Sequence, residues 1–215
     1  MSVSRRNMIL GTAAAGLATI RPASAEIQCQ PYQPGVNFCR VGVPTIRVDA
    51  ARPPDQQCRM WCWAACIEAI FRINGHRVRQ SRIVEKVFGS PDICEPADGA
   101  QIAYAVNGAW TSDDGESFYA EAQTLLDLRM GVWIPNAGAA VAQILAQGEP
   151  LINGAVGHAT VLTGMEYLAD IYGNGQILAL IVRDPWNPGG SGAVRRLLQP
   201  NEAYGTFLIT RVLVQ

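Results

Sequence analysis

The stretch Gln56-Gln57-Cys58-Arg59-Met60-Trp61-Cys62-Trp63-Ala64-Ala65-Cys66 decides how the rest of the chain is read. From Cys62 to Ile73 apolar residues fall almost all round (Trp63, Ala64, Ala65, Ile67, Ala69, Ile70, Phe71), and Glu68 with Arg72 forms the one i,i+4 charge pair. That pattern predicts a buried central helix rather than a surface one, ended by Gly75. A cysteine in the first turn of such a helix sits in the positive field of the helix start, which favours thiolate over thiol. A thiolate nucleophile needs a base, a group that orients the base, and donors for the oxyanion. Gln56, six residues before Cys62, could reach back as one such donor beside the Cys62 backbone N–H.

The choice of base is nearly forced, because the chain has two histidines. His76 follows Gly75 and is expected in the exposed loop that ends the central helix, as a solvated surface residue. His158 stands in Gly157-His158-Ala159-Thr160-Val161-Leu162, a small residue, the imidazole, then a buried strand. Twenty-six residues later the apolar run Ile177–Val182 leads to Asp184-Pro185-Trp186. A carboxylate at Asp184 could accept the second imidazole N–H, hold the ring in the productive tautomer and stabilise its cation.

In this order and at these element boundaries, the residues resemble the papain-like cysteine peptidases. That family's signature is a glutamine six residues ahead of a Cys-Trp pair opening the central helix. A histidine then begins a strand of the β half, and an Asn or Asp follows the next strand. The Cys62-Trp63-Ala64-Ala65-Cys66 and Asp184-Pro185-Trp186 forms are most similar to the bacterial branch, which includes effector proteases of plant pathogens and bacteriocin-leader-processing peptidases. The resemblance spans roughly residues 50–213. It implies an α+β papain-like fold, a helical half with its central helix packed against an antiparallel β-sheet half. It also implies an exported peptidase acting on a peptide or protein through a Cys62-His158-Asp184 triad and a thioacyl-enzyme. Gln56 is then the oxyanion donor, and Trp186 the shield of the His158–Asp184 bond.

Two departures from the family pattern are present. His158 lies 96 residues after Cys62, against about 130–150 in papain and the cathepsins, which implies a compact variant without the loops that shape extended subsites. Cys58 stands four rather than three residues before the nucleophile, so the Cys-Gly-Ser-Cys-Trp form is absent. Cys62 and Cys66 lie one helical turn apart on similar faces. Cys62 is the expected nucleophile, because Gln56 and Trp63 are registered to it and the helix-start field fades beyond the first turn. Cys66 is expected as a core thiol or as a partner for Cys94.

Three alternatives stand beside this chemistry. Cys58-x3-Cys62-x3-Cys66 does not match common iron–sulfur or zinc spacings and no Cys-x2-Cys pair exists, so no metal and no cofactor is expected. The same triad could pass the acyl group to an amine or act on a glutamine side chain, giving acyl transfer or deamidation. A non-catalytic exported binding module is the third alternative.

Around this centre, Ser4-Arg5-Arg6-Asn7-Met8-Ile9-Leu10 resembles a twin-arginine export motif. A mildly apolar stretch (Gly11 to Ile20) and the small-x-small site Ala23-Ser24-Ala25 follow it. Residues 1–25 are therefore expected to be a signal segment cut after Ala25, with the twin-arginine translocation machinery as a partner and a periplasmic or secreted destination. The chain from Glu26 then has 14 basic residues against 18 acidic ones, a formal charge of −4. Neither that value nor the −1 of the whole 215-residue chain suggests a nucleic-acid partner. No apolar run approaches the ~20 residues of a membrane span. Hydrophobic residues at 49% and charged ones at 16% supply ample material for one packed core. In an oxidising compartment, cysteines without a catalytic task are expected to pair. Six of them allow 15 connectivities, among which the sequence does not choose.

Residues 26–50, with prolines 31, 34 and 44, read as an N-terminal extended arm with short strands, which Cys29 and Cys39 could staple to itself. Residues 51–215 are the expected catalytic domain. In it Ser81 can cap a helix to Phe88 with Gly89 as its stop, and Asp98 with Gln101 forms a capping box for a helix to about Ala105. Residues 117–128 fit strand and helix equally. Ala137–Gln147 reads as a helix. Leu151–Ala155, His158–Tyr167, Ile177–Arg183 and Gly205–Val214 read as strands, with Gly173-Asn174-Gly175 as a turn. Helices first and an antiparallel sheet second is the mark of an α+β domain.

Overall fold

Ten of the twelve residues of the helix that opens at Cys62 are buried, and the remaining elements are arranged around it. The computed structural model describes residues 25–215; the expected signal segment, but for Ala25, lies outside the described residues. The elements run β1 (Gln28–Gln33), β2 (Val36–Gly42), α1 (Thr45–Ala51), α2 (Cys62–Ile73), α3 (Gln80–Phe88), α4 (Gly99–Val106), β3 (Gly108–Thr111) and β4 (Ser117–Asp127). They continue as β5 (Val132–Trp133), α5 (Ala137–Ala146), β6 (Leu151–Ala155), β7 (His158–Asp170), β8 (Gly175–Asp184), β9 (Val194–Leu197), α6 (Pro200–Tyr204) and β10 (Thr206–Val214). The described residues thus form an α+β architecture in which every strand pairing is antiparallel.

The main sheet path is β1-β2-β7-β6-β10-β4-β3; β5 pairs with β4, and β8 and β9 extend from β7. Adjacent residues of the central strands serve different cores. Ile152, Val161 and Leu208 pack with α2, α3 and α4, whereas Leu151, Leu162 and Ile209 pack with Val48 of α1 and Val141, Ala142 and Leu145 of α5. Successive side chains of a strand point to opposite faces, so the middle of this sheet is covered on both sides. That is why β6 and the first half of β7 are buried at successive residues rather than at alternate ones. No helix of the described residues is long and apolar enough to cross a membrane.

The stretch 117–128 is a strand. Its alternating burial and its pairing with β3 and β10 outweigh its helical propensity. The arm does form strands. β1 and β2 make a hairpin whose second strand lies along residues 164–170 of β7, and Cys29 faces Cys39 in register and is bonded to it. Three local expectations need correcting. Thr45–Ala51, read as extended, is a short helix that starts directly after Pro44, where a missing N–H is harmless, and is fastened by the buried Val48. Ser81 is not the cap of α3, because that helix already begins at Gln80. Strands also precede and interrupt the helices, so the order is not helices first and sheet second.

The disulfide of Cys94 is with Cys58, not Cys66. The Trp61 ring N–H donates to Ile93 O at 2.8 Å and that of Trp63 to Glu95 O at 3.2 Å, which lays residues 93–95 over the start of α2. Cys94, between those two anchors, meets the loop residue Cys58. Cys66 is fully buried in the core around α2 and remains a free thiol.

The fully buried carboxylate of Glu68 is paired with Arg72 (Nη2 to Oε1 2.6 Å) and accepts from Gln80 Nε2 at 3.0 Å. Gln80 also donates to Asp55 O and accepts from Gln57 N–H, so it ties the segment before α2 to α2 and α3. Removing one partner of a buried ion pair leaves an uncompensated charge. Arg72→Met is therefore expected to lower the unfolding free energy by about 3 kcal/mol in urea titrations. A loss under about 1 kcal/mol would show that Gln80 alone satisfies Glu68.

Candidate active site

The β6–β7 hairpin turns on two residues, Val156 and Gly157, with φ of 50° and 77°. A two-residue turn with both central residues left-handed matches the twist of its strands. It makes His158 the first residue of β7, opposite Ala155. A β-branched side chain in that conformation is an outlier, and Val156 is moreover exposed. Backbone strain of this kind gathers at functional sites. Asn tolerates the left-handed region, so Val156→Asn is expected to stabilise the fold by about 1 kcal/mol, read as a higher denaturant midpoint.

Three chain segments converge beside this turn. From α2, the Cys62 sulfur accepts the N–H of Ala159 at 3.4 Å, which sets it against the first residues of β7. From the end of β8, Asp184 Oδ1 lies 2.7 Å from His158 Nε2, so the other ring nitrogen is left for Cys62. Val161 pairs with Arg183, which brings the last residue of β8 alongside the start of β7. Gln56 reaches the same place through its backbone, whose N–H donates to Pro185 O at 3.0 Å. Its side-chain amide turns elsewhere, with Nε2 donating to Arg59 O at 2.7 Å and Cys58 O at 3.1 Å. Cys62, His158 and Asp184 are therefore gathered, while the Gln56 amide braces the loop ahead of α2.

Burial works against a charged His158 ring. The hydrogen bond to Asp184, then that to Cys62, and the charges of both outweigh it, and its pKa is raised to about 9. Burial likewise opposes the charged form of Asp184. It is outweighed by the hydrogen bond from His158, the Trp186 N–H, the charge of His158 and Arg196, which hold the carboxyl below its usual range. Cys66 differs: burial first, then the negative charges of Cys62 and Asp184, push its thiol well up. Its full burial also closes it to reactants, which leaves Cys62 as the accessible one of the two free thiols. His158 keeps 28% of its side chain exposed, enough for a reactant to reach the ring.

Arg196 and Glu202 join the site without any signal in the sequence. Arg196 Nε donates to Asp184 Oδ2 at 2.7 Å, and its other nitrogens form a forked pair with Glu202 at 2.6 and 2.7 Å. Nothing in the local pattern of an edge strand separates Arg196 from its neighbour Arg195. Trp186 touches the triad through its backbone N–H, which donates to Asp184 Oδ1 at 2.8 Å, while half of the residue is exposed. Asn153 is buried and bonds Thr160 and Thr206. His76 is not the solvated residue expected. It stacks on Phe118 with centroids 4.2 Å apart and reaches Glu116 at 3.3 Å, beyond the other end of α2.

Among the described residues no cluster of three or more His, Cys, Asp or Glu side chains is arranged to hold a metal ion, and the bond to Cys94 withdraws Cys58 from the Cys58-Cys62-Cys66 set. No protein-family model and no curated protein matches the sequence.

Because the pKa of His158 is raised in the folded chain above its ordinary 6.5, its stabilising contribution is complete below pH 6.5 and is lost as pH rises through about 9. The stability difference between the natural chain and His158→Gln is therefore expected to shrink between those values, measured by denaturant unfolding at a series of pH. A difference that stays constant across the range would contradict the paired imidazolium.

Proposed function

We propose that the chain is a cysteine peptidase of the papain-like kind, exported, and acting on peptide or protein substrates. The observation that carries the reading is the convergence of Cys62, His158 and Asp184. A sulfur at the start of a buried helix faces an imidazole whose far nitrogen is bonded at 2.7 Å to a buried carboxylate. The arrangement of an α+β chain with a buried helix against an antiparallel sheet supports it as well. The two disulfides and the lack, among the described residues, of a membrane-length helix are compatible with an oxidising destination.

In the mechanism that follows, the thiol proton resides on His158 and the Cys62 thiolate attacks the scissile carbonyl carbon, opening the C=O bond to an oxyanion. The first-turn N–H groups of α2 have no acceptor within the helix and, with the helix field, suit that oxyanion. The intermediate collapses, the C–N bond breaks, and His158 passes its proton to the leaving amine. Water then adds to the thioester with His158 taking its proton, the C–S bond breaks and the acid departs, which leaves the Cys62 thiolate beside a protonated His158 as at the start. Asp184 keeps the ring oriented throughout and stabilises it whenever it carries the proton. Contribution of the Gln56 amide requires it to exchange a turn carbonyl for the oxyanion.

Profiling a peptide library with purified residues 26–215 beside Cys62→Ala tests the reading. Cleavage is expected to fall by roughly 10⁴ or more on replacing Cys62 or His158, and by less for Asp184→Ala, which orients rather than reacts. A thiol reagent at pH 6 is expected to label Cys62 more than about tenfold faster than an ordinary thiol. Labelling at the ordinary rate, or cleavage that persists in Cys62→Ala, would overturn the proposal.

A further inference from the structure

Both oxygens of Asp184 are engaged, and by different elements. Oδ1 accepts from His158 Nε2 at 2.7 Å and from the Trp186 N–H at 2.8 Å; Oδ2 accepts from Arg196 Nε at 2.7 Å. A carboxylate bonded through one oxygen alone can turn about its Cβ–Cγ bond. The bond to Oδ2 removes that freedom. Arg196 is in turn held in a fork, Nη1 to Glu202 Oε2 at 2.6 Å and Nη2 to Oε1 at 2.7 Å, while Nη1 also donates to Leu197 O. Glu202 is fixed at the start of α6 by the Gln199 N–H at 2.8 Å. Charge-assisted, forked bonds of this kind are strong and specific in direction.

We propose that Arg196, fixed by Glu202, is a positioning residue that sets the plane of the Asp184 carboxylate and limits how tightly that carboxylate holds the His158 imidazolium. The inference rests on the reading of Cys62 and His158 as the reacting pair. The charged or titratable groups facing His158 and Asp184 are Cys62 and Cys66 from α2, Arg196 from β9 and Glu202 from α6. Arg183, next to Asp184 on β8, is bonded instead to Asp49 of α1. Of the groups bonded to Asp184, Arg196 alone carries a permanent positive charge. It shares the carboxylate with the ring, so its loss strengthens the ring's hold on its proton while releasing the carboxylate plane.

The test compares the natural mature chain with Arg196→Gln and Arg196→Lys. Its readouts are the titration of the histidine ring signals by nuclear magnetic resonance, the rate of Cys62 alkylation and the turnover of a cleaved peptide. The two histidines of the chain give two signals, and His76 serves as the internal reference. Arg196→Gln is expected to move the His158 titration up by roughly half a pH unit or more with His76 unmoved, and to lower kcat roughly tenfold with little change in KM. Arg196→Lys keeps the charge but cannot span Asp184 and the Glu202 fork together. It is expected to leave the His158 titration within about 0.2 units of the natural chain while kcat still falls.

A folded Arg196→Gln chain with an unmoved His158 titration would overturn the inference and reduce the pair to a fastening between β9 and α6. Full kcat in Arg196→Lys would equally overturn it, and that variant decides the matter if Arg196→Gln does not fold. Ordinary Cys62 reactivity in the natural chain would instead sink the peptidase reading itself.

Discussion

A helix buried on nearly every side has one way to lie, and α2 is such a helix. Its apolar residues pack against Ile152, Ala159 and Val161 of the sheet and against α3 and α4, and Glu68 carries its counter-charge into the interior. Cys62 is the first residue of that rigid body. Two tryptophan N–H groups and the Cys58–Cys94 bond tie down the turn around it. The meeting of sulfur and imidazole is thus a by-product of packing: the start of one buried element is pressed against the start of another, and the Ala159 N–H marks the contact.

Around that contact the charges alternate. The thiol of Cys62, the imidazole of His158, the carboxylate of Asp184, the guanidinium of Arg196 and the carboxylate of Glu202 follow one another across α2, β7, β8, β9 and α6. Each link is partly or wholly withdrawn from water, where such bonds gain strength and the loss of a partner is costly. The first two of those links hold the proton on His158 despite its burial, since the Asp184 carboxylate and the Cys62 sulfur both face the ring.

The same density of fastening shows at the edges. The β1–β2 hairpin extends the sheet through β7, and the Val156–Gly157 turn carries a conformation that valine adopts only under constraint. That turn leaves no slack between β6 and the ring of His158. A longer loop would have let the ring wander from the sulfur.

Much of this was legible in the order of residues. The all-round apolar pattern after Cys62 announced a buried helix, Asp98 and Gln101 announced a cap that is present, and a chain with two histidines left little choice of base. Such features are local: they depend on side-chain period, on hydrogen bonds three residues apart, or on the scarcity of a residue type. What the order of residues could not supply was anything that depends on a partner far along the chain. The pairing of Cys94 with Cys58, the strand state of 117–128, the stacking of His76 and the Arg196–Glu202 clamp were all decided when distant segments met. Each hinges on which neighbour occupies the space beside it, and the local pattern of a strand, a loop or a lone arginine carries no record of that neighbour.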